Sequence, residues 1–270
     1  MTQRTHASPV IRRAAVGSAA FLAAGLLLAG CGVLEESSTP SPPADPKETL
    51  LAAVPDEEAP AFRFSGTDTD GMPISGAVDP TNNGSEMVVT MSEDVDGVEL
   101  NMTLSVRTLD QDIWMQMDFG ETTELYGLLG VEQDQWMELD QSKLTDDSLT
   151  YDIADVGNTK VIMNASDDVQ QHADGSYTGT VDLTDKPRAA QALFGEGVTA
   201  LDEAAAPVPF TAMIGADGNL ETLSVELPAV GEQPAGEYLV KYFDYGDVPS
   251  ITPPTGDVMP ASDEVYEWMG

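Results

Sequence analysis

Cysteine, histidine and basic side chains are all scarce in this sequence of 270 residues. The single cysteine, Cys31, excludes an internal disulfide. The two histidines are His6 and His172, so the sequence lacks the residues for a Cys–His pair or a His-rich metal site. A glycine-rich phosphate loop is also missing. We therefore predict that the protein is not an enzyme and that it uses no metal ion or other cofactor.

The one long apolar run in the sequence extends from Ala14 to Gly30, near the N-terminus. Three arginines precede it, and no acidic residue occurs before Glu35. A positive segment followed by a short apolar segment is typical of a secretory signal peptide. A membrane-spanning helix would need about 20 apolar residues with flanking anchors, whereas this run is shorter and ends in small residues. The Arg12-Arg13 pair leaves both the general and the twin-arginine export routes open.

The apolar run ends in Leu28, Ala29 and Gly30, directly before Cys31. This ending resembles the bacterial lipobox, in which a peptidase cuts before a cysteine that is already lipidated. The resemblance implies that residues 1–30 are a lipoprotein signal peptide and that Cys31 carries lipid, as diacylglycerol and palmitate. It also implies an exported protein that is anchored through this cysteine to the outer face of the cell membrane.

Residues 31–46 follow the predicted cut site and are dominated by Ser, Thr, Pro and Glu, without aromatic side chains. This composition predicts a flexible tether between the lipidated cysteine and a folded domain. Residues 47–270 contain no internal repeat and no second linker, so we predict that they form a single domain. Hydrophobic residues make up 41% of the chain, which is enough for one core of roughly 200 residues.

Acidic residues strongly outnumber basic ones, with 47 Asp and Glu against 11 Lys and Arg. Removal of residues 1–30 removes three arginines and no acid, which leaves 8 basic and 47 acidic residues and a formal charge of −39. Phosphate contacts need Lys and Arg, so this composition excludes nucleic acid as a partner and disfavours broad adhesion to anionic lipid headgroups. Three interpretations of the acidic excess stay open: a surface adapted for solubility, a site for cations, and a site for a basic protein partner.

Two acidic segments, Asp68–Gly71 and Glu93–Gly97, resemble fragments of an EF-hand calcium loop. If each glycine takes the sixth loop position, Gly66 or Ser92 falls at the first position, where an acidic ligand is required. Both segments are therefore predicted to be hairpin turns rather than metal sites.

Alternating apolar and polar residues predict strands with one buried face through most of the domain. The clearest segments are Val98–Val106 and Ile113–Phe119, joined by a tight turn at Asp110–Asp112. Other predicted strands are Phe62–Thr69, Met87–Met91, Trp136–Leu139, the hairpins Val169–Leu183 and Phe210–Leu227, and Tyr238–Tyr245. Helices are predicted at Lys47–Val54, Leu144–Val156 and Arg188–Leu201. The predicted fold class is α+β, with a single curved antiparallel β-sheet of nine or ten strands packed against helices on one face.

Several of the 12 methionines fall in adjacent predicted strands. Methionine is flexible and polarizable, so it suits an apolar surface that must adapt to varied ligands. The strand and helix faces predict eight residues that line an apolar ligand cavity: Met91, Leu100, Met102, Leu104, Met115, Met117, Leu193 and Phe194. The same pattern suits an ordinary core beneath helices, so the sequence leaves both interpretations open.

Five segments of the domain, taken together, resemble the conserved segments of a known protein family. They are Ile113–Met115, Trp136–Leu139, Tyr177–Leu183, Pro209–Leu220, and Tyr242–Gly246 with Pro249, Pro253 and Pro254 after it. This set resembles the actinobacterial LppX/LprG-type lipoproteins, whose fold is similar to that of the LolA and LolB lipoprotein carriers. The resemblance implies a half-barrel sheet that wraps helices on its concave face, with an apolar cavity between them for acyl chains. It also implies that the protein carries lipid or glycolipid across the cell envelope.

Two functions are consistent with these patterns. The first is a membrane-anchored lipoprotein that binds lipid or glycolipid acyl chains in an apolar cavity for transport through the envelope. The second is a non-enzymatic interaction or sensory module with a filled core, whose acidic face binds a basic protein partner. The wall of a cavity and the wall of a core have the same sequence pattern, so the pattern alone does not separate these functions.

Overall fold

The structure is a computed structural model, and it describes residues 45–67, 71–95, 98–120, 122, 124–144, 155–184, 186–195, 207–231 and 234–269. Side chains are described for all of these except residues 93–95 and 98–100. Residues Pro43–Gly270 group into one compact unit. None of the described helices is long and apolar enough to cross a membrane. The predicted signal peptide, the lipobox and Cys31 lie outside the described residues, as do residues 145–154 of the helix predicted at Leu144–Val156.

The described part of the chain contains twelve strands and five α-helices. In chain order they are α1 (Pro46–Ala53), β1 (Phe62–Thr67), β2 (Pro73–Asp79), β3 (Gly84–Val95), β4 (Val98–Leu109), β5 (Asp112–Asp118), α2 (Glu124–Leu129), β6 (Trp136–Glu138), α3 (Thr159–Asn164), β7 (Ser166–Gln171), β8 (Ser176–Asp182), α4 (Pro187–Phe194), β9 (Pro207–Ile214), β10 (Leu220–Leu227), β11 (Gly236–Phe243), β12 (Val258–Pro260) and α5 (Asp263–Met269).

All twelve strands belong to one sheet, in the order β12-β6-β5-β4-β3-β2-β1-β11-β10-β9-β8-β7. The α+β class is confirmed, but the prediction of a wholly antiparallel sheet was wrong at one edge, where β12 runs parallel to β6. More than a hundred residues separate these two strands, so no hairpin fixes their relative direction. Strands β2 and β12 were not predicted, because β2 contains Ser75 and Gly76 and β12 is only three residues long.

Helix α1 lies one residue before the predicted Lys47–Val54 at each end, and the predicted end of α4 was wrong. Helix α1 begins after Asp45, whose carboxylate accepts a hydrogen bond from the Lys47 backbone N–H at 2.8 Å, and it ends before Pro55. Helix α4 was predicted to run from Arg188 to Leu201, but it ends at Phe194, and residues 196–201 of the predicted helix lie outside the described residues. Gly195 follows it with a φ of 75°, a conformation that glycine adopts at little cost and that terminates the helix.

Cross-strand register shows which residues share a face of the sheet, because directly opposed residues point to the same side. One continuous row of such pairs crosses seven strands. It joins Tyr242, Phe64, Gly76, Met87, Val106, Met115 and Met137. Most of these residues belong to the buried clusters described below, and we call their side of the sheet the helix-bearing face.

Two hydrophobic clusters are buried on the helix-bearing face. The first joins residues of β1 and β8–β11 to helices α1, α3 and α4, and it includes Phe62, Leu193 and Val240. The second joins residues of β4–β6 to α2 and α5, and it includes Met117 and Val265. The helices are short, so their stability comes from packing their apolar sides against the sheet rather than from helix propensity.

Two glycines of the helix-bearing face are covered by the phenylalanine directly opposite on the neighbouring strand. A Cβ atom at Gly76 would lie 2.7 Å from Cε1 of Phe64, and one at Gly179 would lie 2.6 Å from Cε1 of Phe210. These contacts leave no room for a side chain. They explain why the Tyr177–Leu183 motif has glycine at its third position.

Buried tyrosines of β11 hold the turn at 156–159 against the sheet. The Tyr242 hydroxyl donates to the Val156 carbonyl at 2.6 Å and also lies 2.6 Å from Oγ1 of Thr159. The Tyr238 hydroxyl donates to the Gly157 carbonyl. Burial raises the pKa of both tyrosines above the ordinary value, because a phenolate would lose its hydration. These hydroxyls therefore act as neutral donors.

We predict that Tyr242→Phe lowers the free energy of unfolding by about 1–3 kcal/mol, because the Val156 carbonyl and the Thr159 hydroxyl lose their buried partner. Urea unfolding measures the change. Tyr177→Phe is the matched control, since the Tyr177 ring is also buried and its hydroxyl makes no hydrogen bond to the described residues. Equal stability of the two variants would contradict the anchoring role.

The raised pKa of Tyr242 also predicts a pH dependence of stability. Below about pH 10 the tyrosine is protonated in both the folded and unfolded states, so its contribution is fully present. Above this pH the unfolded chain ionises first, and the free energy of unfolding falls by about 1.4 kcal/mol per pH unit for each such tyrosine. Urea unfolding at increasing pH should show a shallower fall for Tyr242→Phe than for the unsubstituted protein. Parallel pH profiles would refute this prediction.

Candidate functional site

The cross-strand register places the described cavity candidates of the strands on one face of the sheet. In β3 and β4, Met91 is directly opposite Met102, and Leu104 is opposite Val89. Leu104 is in turn opposite Met117 in β5. These rows run beside the pair of Val106 with Met115, so they belong to the helix-bearing face. Leu100 is opposite Glu93 in the same register, and its side chain lies outside the described part of the structure.

Six apolar residues of β2, β3 and β4 form a half-buried band on the helix-bearing face, which we call the apolar strip. They are Ile74, Met87, Val89, Met91, Met102 and Leu104. At one side of the strip, Ile74 and Met87 pack against the first cluster. At the other side, Met102 and Leu104 pack against the second cluster. The strip therefore lies between two packed cores and is itself only partly covered.

The structure divides the remaining predicted cavity residues between the two cores. Met115 and Met117 are each 1% exposed and belong to the second cluster. Leu193 and Phe194 are buried in α4 and belong to the first cluster. Packing among protein side chains accounts for the burial of all four residues without any ligand. The sequence pattern thus identified residues of the helix-bearing face, but it did not distinguish the half-buried strip from the buried cores beside it.

The side chains of the apolar strip form a surface that is suited to contact with hydrocarbon chains. It contains no ionisable side chain, so it offers no group for proton transfer at neutral pH. Three of its six residues, Met87, Met91 and Met102, are methionines, whose flexible thioether side chain adapts its shape to a neighbour. Each methylene group that leaves water for such a surface contributes about 0.8 kcal/mol.

The C-terminal segment covers the second cluster, a role that was not predicted. Val265 of α5 is fully buried among the strand residues of this cluster. The Lys143 ammonium lies 2.7 Å from Oδ1 of Asp263, and this hydrogen bond holds the pKa of the Asp263 carboxyl below its usual range. The Tyr266 hydroxyl accepts a hydrogen bond from the Asp140 backbone N–H at 2.7 Å. The available signals for this helix were the acidic residues Asp263 and Glu264 in its first turn and the three- and four-residue spacing of Val265, Trp268 and Met269.

The face opposite the helices carries an open cleft of about 360 Å³. Its floor is formed by β1–β4, and residues Val248–Thr252 form one wall. Arg107 lies across the cleft, with Nη2 2.8 Å from Oε2 of Glu86 and Nη1 3.0 Å from the Thr252 carbonyl. Its guanidinium also stacks over the Trp136 ring, 5.0 Å from the ring centroid. Arg107 therefore holds the segment after β11 against the sheet.

His172 occupies a structural position at the end of β7. Its ring Nε2 lies 2.7 Å from Oγ1 of Thr178, and the side chain is exposed. The neighbouring turn is held by Asp174, which accepts hydrogen bonds from the hydroxyl and the backbone N–H of Ser176. These bonds hold the pKa of the Asp174 carboxyl below its usual value. In the described ranges, no three side chains of His, Cys, Asp or Glu are grouped closely enough to bind a metal ion.

Comparisons with known proteins found no family model and no curated protein that matches this chain. The resemblance to the LppX/LprG-type lipoproteins therefore depends on the short segments identified in the sequence.

We predict that Val265→Ala lowers the free energy of unfolding by about 2 kcal/mol, because two methyl groups leave the second cluster and a small cavity remains. Urea unfolding measures the loss, and hydrogen exchange should become faster in α5. Glu267→Ala provides the control, since Glu267 is exposed on the same helix and its removal should change stability by less than about 0.5 kcal/mol. An unchanged stability of Val265→Ala would show that α5 does not seal this cluster.

Proposed function

We propose that this protein is an exported lipoprotein that binds the acyl chains of lipid or glycolipid along the apolar strip. The observation that carries the proposal is the half-buried state of the strip between two packed clusters. A strip that only filled a core would be buried like Met115 and Met117 beside it. Partly covered apolar surface of this kind is typical of ligand grooves.

The location of the protein is part of the proposal. Cys31 would carry the lipid anchor on the outer face of the cell membrane, and residues 31–46 would hold the domain away from the bilayer. The support is the run of Leu28, Ala29 and Gly30 before the single cysteine of the chain. A tethered carrier meets lipid at the membrane surface, and the tether leaves the apolar strip free to receive it.

We also propose that the sheet is the half-barrel of the LppX/LprG-type family, with the helices on its concave face. Two observations support this geometry. Both hydrophobic clusters lie on the same face of a single open sheet in the described residues. Long sheets also twist, and a sheet of twelve strands curves around whatever covers one face.

Binding would be driven by desolvation of the acyl chain. Ten methylene groups that leave water contribute about 8 kcal/mol before the cost of ordering the chain. The strip offers no charged group to any part of the ligand, so it would select for apolar length rather than for a particular headgroup. No catalytic residue and no cofactor takes part in this mechanism.

A second candidate is a filled-core interaction module that binds a basic protein partner. The observation in its favour is that Met115, Met117, Leu193 and Phe194 are all buried in packed clusters. The formal charge of −39 beyond residue 30 would attract such a partner, and the association would weaken with salt because the Debye length is about 8 Å at physiological ionic strength.

Native mass spectrometry of residues 32–270, followed by organic extraction, tests the choice between these functions. If the protein is a lipid carrier, an acylated ligand should be bound after purification or be taken up from added glycolipid. This ligand should be released on denaturation. A ligand-free mass that stays unchanged after incubation with phospholipid and glycolipid would contradict the carrier and favour the interaction module.

We predict that Met102→Lys abolishes lipid uptake, because an ammonium group in the apolar strip loses its hydration when an acyl chain covers it. Asn101→Lys is the matched control: Asn101 is the preceding residue of β4, it is exposed, and it lies on the opposite face. Binding of a fluorescent fatty acid measures both variants. Retained binding by a folded Met102→Lys protein would exclude the strip as the lipid site.

A further inference from the structure

Two adjoining clefts on the face opposite the helices form one groove. The first is the cleft of about 360 Å³ beside Val248–Thr252, and the second has a volume of about 370 Å³. They share Ser75 of β2 and Val88 of β3 as lining residues. We call this surface the basic groove, and it is separated from the apolar strip by the thickness of the sheet.

The basic groove concentrates positive charge in a strongly acidic protein. Only eight Lys and Arg occur after residue 30, against 47 Asp and Glu. Three of these eight, Arg63, Arg107 and Lys241, line the groove, whereas Glu86 is the one acidic residue among its described lining residues. Basic side chains therefore outnumber acidic ones in this part of the described surface, the reverse of the ratio in the sequence.

Two of these basic side chains can form hydrogen bonds or ion pairs with a ligand beyond those they make to the described residues. Arg63 is 46% exposed, makes no hydrogen bond to the described residues, and has its Nε 3.7 Å from Oδ2 of Asp244. Lys241 forms no ion pair or hydrogen bond in the described structure. Arg63 is opposite Phe243 in the register, and Lys241 is opposite Ser65, so the two cations are diagonal neighbours. Diagonal Cβ atoms lie about 7–8 Å apart, within reach of one shared anion.

Some buried polar atoms of the groove also lack hydrogen-bond partners among the described residues. Two buried side-chain atoms lack a hydrogen-bond partner in the described residues, and they are Oγ1 of Thr67 and Nε of Arg107. Each belongs to a residue that lines the groove. Unsatisfied buried polar atoms are rare in folded proteins, and their coincidence with one groove indicates a surface with room for more polar contacts than the described residues supply.

The walls beside Arg63 are apolar. Phe243, directly opposite Arg63, is 41% exposed, and Val248, Pro249 and Ile251 line the same cleft. A guanidinium group presents a planar set of donors that matches a carboxylate in two parallel hydrogen bonds. We propose that the basic groove binds a small carboxylate ligand with an apolar body, the carboxylate between Arg63 and Lys241 and the body against Phe243. This site is independent of the proposed lipid function.

Titration of ¹⁵N-labelled residues 32–270 with benzoate, followed by NMR, tests the proposal in a chain that includes the whole compact unit. Salt of about 150 mM screens the repulsion from distant acidic residues, because the Debye length is then about 8 Å. We expect benzoate to shift the amide signals of β1, β11 and residues 248–252. Benzyl alcohol has the same apolar body without the charge, and we expect it to bind at least about tenfold more weakly.

Charge-removing variants locate the site. Arg63→Gln should weaken benzoate binding about tenfold, because a charge-assisted hydrogen-bond pair is lost, and Lys241→Gln should weaken it by a smaller factor. Lys160→Gln removes the same charge from an exposed position in α3, and binding should stay unchanged. Thermal unfolding confirms that each variant is folded.

Three outcomes would overturn the assignment. One is equal affinity of Arg63→Gln and Lys160→Gln for benzoate, which would place any binding elsewhere. Another is equal affinity for benzoate and benzyl alcohol, which would remove the role of the charge. The third is binding of inorganic phosphate as tightly as benzoate, which would remove the role of the apolar wall.

Discussion

Burial of one face of a single twelve-stranded sheet is the constraint on which the rest of the structure depends. Directly opposed residues from Tyr242 through Phe64 and Val106 to Met137 point to the same side, so a one-residue slip in any pairing would turn apolar side chains toward water. The helices are too short to be stable alone, and they form because this face must be covered. Glycine at positions 76 and 179 follows from the same requirement, since a phenylalanine ring occupies the space above each.

The five helices of the described ranges cover this face unevenly, and the uneven cover produces the proposed site. Helices α1, α3 and α4 bury one end of the sheet, and α2 and α5 bury the other. The apolar strip of β2–β4 is left half-buried between them. The opposite face has a different character, because Arg107 and the segment after β11 build a groove with a positive lining. One sheet thus presents hydrocarbon-compatible surface on one side and anion-compatible surface on the other.

Local patterns in the sequence were sufficient for much of the fold. The alternation in β4 and β5 predicted both strands, a shared strand face for Met102 and Leu104, and another for Met115 and Met117, since a strand has a period of two. Features that depend on distant residues could not be predicted in this way. The parallel pairing of β12 with β6, the burial of Val265 and the groove at Arg63 and Lys241 all join segments far apart in the chain. How deeply a strand residue is buried likewise depends on helices from distant parts of the chain. The sequence pattern therefore could not separate the half-buried strip from the buried cores beside it.

Photo-crosslinking with a palmitic acid analogue that carries a diazirine near its methyl end tests whether the apolar strip binds lipid, because it reports where an acyl chain lies. We expect the labelled peptides to contain residues of the apolar strip in β2, β3 and β4, and excess palmitate to prevent the labelling. Labelling confined to the opposite face of the sheet, or labelling no greater than that by a diazirine without an acyl chain, would contradict it.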